Sequence, residues 1–221
     1  MSATDLSGFE LQHRPDGDAP TVASARAFAE QSCDVAKCFF EAEAENLVVM
    51  ARALCDVWRD GGRVFAMGLG ASSCEAARFA LQFQQPAQTG RRVLTAVDLS
   101  GDPAMMSGIA DDAGFEQVFA RQIAARARPG DGLIGFSTSG DTPSLIAAFA
   151  EAKARHVVTF GFTGGAMGAM CTSGLVDYCL AAPTTSAPRA QECHVTATHV
   201  LGDLVHTILA ADPGSLGPDL H

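Results

Sequence analysis

The chain has 221 residues, 48% of them hydrophobic, and a formal net charge of −10. This length and hydrophobic content suffice for a sizeable buried core in a single domain, and they exclude a fibrous or disordered chain. The negative charge argues against direct contact with DNA or RNA, which requires a basic surface, and no apolar run approaches the length needed to cross a membrane.

The two ends of the chain are predicted to be mobile tails. Residues 1–20 and 212–221 are polar or contain glycine and proline, and the first tail lacks the charged and then apolar regions of a signal peptide. The seven cysteines are scattered without a C-x-x-C pair, which predicts buried, reduced thiols rather than disulfides or a zinc site. Together these features favour a cytoplasmic location.

The predicted elements begin with two helices between Thr21 and Asp60, separated by a break near 42–46, and Gly61-Gly62 ends this region. A last helix is predicted over 188–211, with Pro188 at its start. Between these helical regions, short runs that are apolar throughout alternate with turns and helical stretches, as is typical of a parallel sheet covered by helices on both faces. The predicted strands are 63–67, 93–97, 133–136, 157–160 and 176–180.

The first predicted strand is followed by Gly68-Leu69-Gly70-Ala71-Ser72-Ser73. Glycines permit a tight turn and a close ligand approach, and N–H groups at a helix start favour an anion. Phosphate is the expected guest, and a plain strand-to-helix turn is the alternative. A dinucleotide site is disfavoured because it would need a third glycine at Ser73 and an acidic residue earlier than Asp98.

The third predicted strand leads into Ser137-Thr138-Ser139-Gly140-Asp141-Thr142. Four hydroxyls around one glycine, between a buried strand and a helix, make an uncharged cradle for phosphate oxygens. Thr142 could instead merely cap the following helix. A hydrolase nucleophile elbow is disfavoured because the last glycine of its G-x-S-x-G pattern is displaced.

Two further positions leave alternatives open. Asp98 ends the second predicted strand and could bind a sugar hydroxyl or cap its own turn. The last helix carries a stripe of polar residues, which could simply be a solvated face. Alternatively, the stripe carries an acid–base group, because it includes His199 and imidazole exchanges protons near neutral pH. The stripe consists of Glu192, Thr196, His199, Asp203 and His206.

These segments resemble the SIS (sugar isomerase) domain family over 23–209, and within it the D-sedoheptulose 7-phosphate (phosphoheptose) isomerases and their non-catalytic relatives that bind the bacterial replication initiator. STSG followed by a hydroxyl is the most specific part. The resemblance implies a single SIS domain over 21–211 with a flavodoxin-like five-stranded parallel sheet. It also implies a homotetramer with phosphosugar sites at subunit interfaces. The supporting stretches are GRVFAMGLGASSCEAARFA, AVD followed by ADDAGFEQVFARQ, GDGLIGFSTSGDTPSLIAAFAEAK and RAQECHVTATHVLGDLVH.

The resemblance also implies roles for individual residues. Gln191 and His199 match the glutamine and the acid–base histidine of the isomerases' last helix, and the initiator-binding relatives usually lack that histidine. Asp98 would face the sugar. The residues expected to surround the phosphate are Gly68, Gly70, Ser72, Ser137, Thr138, Ser139 and Thr142.

Four positions depart from the isomerase pattern, and one of them is Pro188, where the isomerases have an aspartate. Leu69 replaces an asparagine, and Arg78 and Gln82 stand where the isomerases place a histidine and a catalytic glutamate that can hold zinc with Gln191 and His199. An arginine and an amide are not usual zinc ligands, so zinc is implied by the family but its site is disrupted, and we predict no metal residues. Glutamine also cannot abstract the proton that isomerisation requires.

Two functions therefore stay open at the level of sequence. One is a divergent aldose–ketose isomerase acting on a sugar phosphate, in which His199 carries the proton with Glu75, Asp98 or a repositioned acid as its partner. The other is a non-catalytic SIS module that senses a phosphosugar or binds a protein such as a replication initiator.

Overall fold

The computed structural model describes residues 21–165 and 167–211, and both predicted tails lie outside the described residues. The first element is one helix of 38 residues, α1 (Val22–Arg59), rather than the predicted pair. The expected break at 42–46 is wrong because this stretch holds no glycine or proline and is rich in alanine and glutamate, which favour helix. Phe39 and Leu47, on either side of it, are both buried in the core.

All five predicted strands are present, and they form one parallel sheet in the order β2-β1-β3-β4-β5. This order confirms the flavodoxin-like sheet. The strands are β1 (Val64–Gly68), β2 (Ala96–Asp98), β3 (Gly132–Phe136), β4 (Val158–Thr163) and β5 (Tyr178–Ala181). The later helices are α2 (Ala71–Gln84), α3 (Pro103–Ala113), α4 (Ala120–Arg126), α5 (Pro143–Ala154), α6 (Gly168–Thr172) and α7 (Ala187–Ala211).

Strand β2 begins later than predicted. Val93 is 68% exposed, and the Leu94 N–H donates to the Phe83 carbonyl of α2. The indole N–H of Trp58 in α1 donates to the Thr95 carbonyl, 3.0 Å away. Hydrogen bonds with α1 and α2 therefore occupy backbone groups of Leu94 and Thr95, just before the strand begins.

The core consists of two hydrophobic clusters, one on each face of the sheet. Helices α1, α2 and α7 pack on one face, around side chains such as Phe79 and Phe136. Helices α4, α5 and α6 cover the other face, around Phe149 and Met170. Burial on both faces explains why the strands are apolar throughout. None of the described helices combines the length and hydropathy needed to cross a membrane.

The cysteines only partly follow the expectation of buried, reduced thiols. Cys171 and Cys179 form a disulfide, with their Cα atoms 5.7 Å apart. The expectation is wrong for this pair because the fold brings the end of α6 back against β5, which cysteine spacing does not reveal. Cys33 and Cys74 are exposed, Cys38 is half-buried, and Cys55 and Cys193 are buried.

We expect iodoacetamide to modify Cys33 and Cys74 rapidly in the native protein and to spare Cys55 and Cys193. The thiolate is the reactive form, and burial raises the pKa of both Cys55 and Cys193 to about 11. Mass mapping after a short pulse at mildly alkaline pH checks this, with guanidinium-unfolded protein as the control. Labelling of Cys193 at the rate of Cys33 would contradict the described packing of α7.

Candidate functional site

Three loops meet at one edge of the sheet. Strand β1 lies between β2 and β3, and all three run in the same direction. Their carboxyl ends therefore place the loops beginning at Leu69, Leu99 and Ser137 side by side. In open parallel sheets this position, where the strand order reverses, is where ligands bind.

The loop after β3, Ser137–Thr142, is hereafter called the hydroxyl cradle. The Ser137 Oγ lies 2.9 Å from the Thr142 Oγ1 and 3.4 Å from the Ser139 Oγ. The Gly140 N–H donates to the Ser137 Oγ, 3.0 Å away, and the Asp141 N–H donates to the Ser139 Oγ, 3.2 Å away. The predicted hydroxyls of these three residues thus converge, with Ser137 at their centre.

Thr142 occupies the position before α5, yet its hydroxyl caps no described N–H group of that helix. It bonds to Ser137 instead. The loop hydroxyls are therefore grouped beside the start of a helix of 12 residues, where the helix dipole favours an anion. Thr138 is half-buried, and its carbonyl packs against Gly164, where a Cβ atom would lie 2.3 Å from that oxygen.

The glycines of the first loop are required by the backbone itself. A Cβ atom on Gly68 would lie 2.2 Å from the Ser72 carbonyl oxygen, so a side chain would disrupt the turn. Gly70 precedes α2 with a φ of +57°, a conformation that side chains disfavour. Ser72 is buried at the start of α2, and Leu69 lies half-buried between the two glycines.

Asp98 caps its own turn. Its Oδ1 accepts the Ser100 N–H at 2.8 Å, and the Ser100 hydroxyl donates to the Gly68 carbonyl at 2.9 Å. Burial raises the pKa of the Asp98 carboxyl, and the hydrogen bonds from Ser100 oppose that rise. Ser100 was not predicted, although a serine two residues after an aspartate at a strand end is a common turn signal.

The remaining predicted residues lie on helices α2 and α7, which pack against each other. The Gln82 Nε2 donates to the Thr198 carbonyl, 2.8 Å away, and so braces the two helices. His199 follows Thr198 directly and is exposed, Arg78 is exposed one turn before Gln82, and Gln191 is half-buried.

These side chains do not fit a zinc ion. Zinc requires three or four nitrogen, oxygen or sulfur donors, whereas Arg78 offers a cation and the Gln82 amide nitrogen is committed to a carbonyl. Within 21–165 and 167–211, no three histidine, cysteine, aspartate or glutamate side chains are grouped so that they could hold a metal.

Glu75 pairs with His194 rather than with His199. The Glu75 Oε2 lies 3.5 Å from the His194 Nδ1, and both side chains are buried. The His194 Nε2 lies 3.1 Å from the Thr163 carbonyl oxygen. His194 was not among the predicted site residues, because it lies on the apolar face of α7 and outside the polar stripe.

The polar stripe of α7 is not uniformly solvated. His206 is 8% exposed, with its Nδ1 2.8 Å from the Gly202 carbonyl and its Nε2 3.2 Å from the Arg92 carbonyl. Asp203 forms an ion pair with Arg91 at 2.6 Å. The other four residues of the stripe, including His199, are exposed.

Comparisons with known proteins find similar sequences and folds over most of this chain. The SIS domain model matches residues 27–164, which include all three loops but not α7. A phosphoheptose isomerase from Roseiflexus sp. (strain RS-1) is 37% identical over 180 residues, or 81% of this chain and 90% of that protein. One from Desulfovibrio desulfuricans is 36% identical over 198 residues, covering 88% and 92%. The solved structure of a phosphoheptose isomerase from Francisella tularensis aligns with a TM-score of 0.81 at 26% identity, covering 86% of this chain and all of that one.

Proposed function

Since this chain belongs to the SIS domain family, we propose that it binds a sugar phosphate in the hydroxyl cradle and interconverts the aldose and ketose forms of that sugar. The observation that carries the proposal is the convergence of the Ser137, Ser139 and Thr142 hydroxyls beside the start of α5. The relatives described as phosphoheptose isomerases support the reaction class.

The cradle suits a phosphate because its hydroxyls are prepared as donors. The Ser137 and Ser139 oxygens each accept a backbone N–H, which fixes where both hydroxyls lie. The protons shared among the Ser137, Ser139 and Thr142 hydroxyls can turn to the oxygens of a bound phosphate. The net charge of −10 does not oppose this binding, because short-range donors outweigh a distant charge that salt screens. Thr138 and Ser72 add further hydroxyls, and Gly68 and Gly70 allow close approach of the backbone.

Isomerisation needs a group that moves one proton between neighbouring carbons. A base takes the proton from the carbon beside the carbonyl, an enediol forms, and the proton returns to the former carbonyl carbon, so no oxidant is needed. We assign this proton transfer to His199, since imidazole can accept and return a proton near neutral pH and this side chain is exposed on α7. Gln191 would orient a sugar hydroxyl, and Asp98 would face the sugar.

The first test is NMR of sedoheptulose 7-phosphate with the protein, with and without added zinc. We expect saturation transfer from protein to sugar together with new aldose-phosphate signals. Saturation transfer without product would contradict catalysis on this sugar and keep the binding role. The absence of both signals would contradict the proposal for this sugar and direct the search to other sugar phosphates and protein partners.

A second candidate function is a non-catalytic SIS module that senses a phosphosugar or binds a partner protein. The observation that favours it is the hydrogen bond from the Gln82 amide to the Thr198 carbonyl, because this side chain serves packing and cannot abstract a proton. The Glu75 carboxyl is also engaged, with His194. The same sugar-phosphate site would then act as a sensor.

The double variant R78H/Q82E separates the two functions. If the parent is a binding module, we expect the variant to gain isomerase activity on sedoheptulose 7-phosphate in the presence of zinc. We also expect the unfolding free energy to fall by about 1–3 kcal/mol, because a carboxylate would face the Thr198 carbonyl. NMR turnover and thermal denaturation measure both effects, with R78H alone as the control. A fully active parent would refute the binding-module candidate.

We also propose that the protein is a homotetramer with its sites at subunit interfaces. Exposed apolar side chains on α1 and α2 support this proposal. In α1, no residue before Val35 is buried. Val22, Phe28, Val49 and Leu81 are 71%, 47%, 49% and 62% exposed. Burying such side chains between subunits would be favourable.

Light scattering should therefore give four times the 22.9 kDa mass of one chain. We expect L81D to lower that mass, because a charge on the exposed apolar side chain opposes its burial against another subunit. The control is T172A, at an exposed helix end away from α1 and α2. A monomeric parent would contradict the assembly.

A further inference from the structure

The buried Glu75–His194 pair has no place in the mechanism proposed above. Glu75 is 3% exposed and His194 is fully buried. Their carboxyl and imidazole groups lie 3.5 Å apart, and the other imidazole nitrogen lies 3.1 Å from the Thr163 carbonyl oxygen. Two titratable groups inside an apolar core are costly unless they satisfy each other, so their retention calls for a structural reason.

Counting protons shows that the pair is neutral as a whole. A carbonyl oxygen only accepts, so the His194 Nε2 that faces Thr163 carries a proton. The Nδ1 then either donates to an ionised Glu75 or accepts from a protonated one. In both cases one proton is shared between the two groups, every facing polar atom has a partner, and no net charge is buried.

The pair connects the two sides of the phosphate site. Glu75 lies one turn after Ser72 on α2, at the first loop. Thr163, which His194 contacts from α7, is the last residue of β4. The Thr163 Oγ1 lies only 2.6 Å from the position that a Cβ atom on Gly140 would occupy.

Gly140 belongs to the hydroxyl cradle itself, because its N–H donates to the Ser137 Oγ. The Thr163 carbonyl is also held by the Ala182 N–H, 2.8 Å away, so the end of β4 is fixed from two sides. A continuous series of contacts thus runs from the start of α2, through Glu75, His194 and Thr163, to the backbone of the cradle.

We propose that Glu75 and His194 are positioning residues that hold the start of α2 and the hydroxyl cradle at the separation a phosphate group needs. This inference rests on the proposed sugar-phosphate site. Neither residue touches the ligand. They fix the positions of the groups that contact the ligand, and small displacements of such groups weaken binding strongly.

The test compares variants that break the pair with one that preserves it. E75L leaves the His194 Nδ1 buried without a partner, and H194L does the same to the Glu75 carboxyl. E75Q preserves both bonds, since its amide can donate to Nδ1 while Nε2 still donates to Thr163. L209A, a buried change in the last turn of α7, is the matched control for lost stability.

We expect E75L and H194L to bind sedoheptulose 7-phosphate about 10–100-fold more weakly than the parent, by calorimetry. E75Q and L209A should remain within about threefold of the parent, because the site geometry is retained. If L209A weakened sugar-phosphate binding as much as E75L does, or if E75Q bound as weakly as E75L, the pair would be only a general stabilising contact. If H194L does not fold, E75L alone carries the comparison, since it leaves no buried charge.

Amide hydrogen exchange of residues 137–142 tests the inference without any ligand. Exchange in this loop should be about tenfold faster in E75L than in the parent, E75Q or L209A, because His194 loses the partner that holds it against the end of β4. Unchanged exchange in E75L would overturn the inference. A parent that fails to bind the sugar would instead contradict the proposed function, and the exchange result would still decide whether the pair positions the cradle.

Discussion

Replacing Ser137 by alanine is expected to abolish most sugar-phosphate binding. The Ser137 Oγ contacts the Thr142 Oγ1 and the Ser139 Oγ and accepts the Gly140 N–H. S137A would therefore remove a phosphate donor and loosen the loop that carries the others. Loss of one hydrogen bond to a charged group costs about 1.5–3 kcal/mol, and loosening of the loop adds to it, so we expect about 100-fold weaker binding.

Calorimetric titration with sedoheptulose 7-phosphate, repeated with inorganic phosphate, measures this loss. The matched control is S107A, which removes an exposed hydroxyl that donates to the Pro103 carbonyl within α3, away from the cradle. S139A should show a smaller effect, since the Ser139 side chain is exposed at the edge of the loop. Unchanged affinity in the S137A/S139A double variant would exclude the hydroxyl cradle as the phosphate site.

Replacing His199 by alanine is expected to remove isomerisation while leaving binding intact. General acid–base catalysis by one side chain contributes about 10²–10⁴-fold, so kcat in H199A should fall by about that factor. The dissociation constant of the sugar phosphate should change little, because none of the hydrogen bonds within the hydroxyl cradle comes from His199. This split between kcat and binding distinguishes an acid–base role from a structural one.

NMR turnover and calorimetry on the same samples check the prediction, and T196A, one turn earlier on the exposed part of α7, is the control. Equal kcat in H199A and the parent would exclude His199 and favour another proton carrier.

The sequence predicts the architecture well because parallel α/β folds repeat one local pattern. Each apolar run followed by a glycine- or serine-rich turn became a strand and a loop at the site edge, and the STSGDT segment became the hydroxyl cradle. The break in α1 was wrong because alanine and glutamate hold the helix together across 42–46.

Features that depend on distant parts of the chain could not be predicted in this way. Glu75 and His194 lie on different helices and meet only after folding. Cys171 and Cys179 pair because α6 and β5 come together, not because of their spacing. Gln82 was identified by its chemistry as a departure from the isomerase pattern, but its bond to the Thr198 carbonyl depends on how α2 packs on α7.

The contact between α2 and α7 also constrains how this protein can change over generations. A Cβ atom on Gly202 would lie 2.0 Å from the Gln82 Nε2, the mobile end of a long side chain, so a larger residue at 202 requires Gln82 to move and to give up its bond to the Thr198 carbonyl. Losing that bond costs about 0.5–1.5 kcal/mol, and a shorter side chain at 82 removes the conflict. The two positions are therefore expected to vary together.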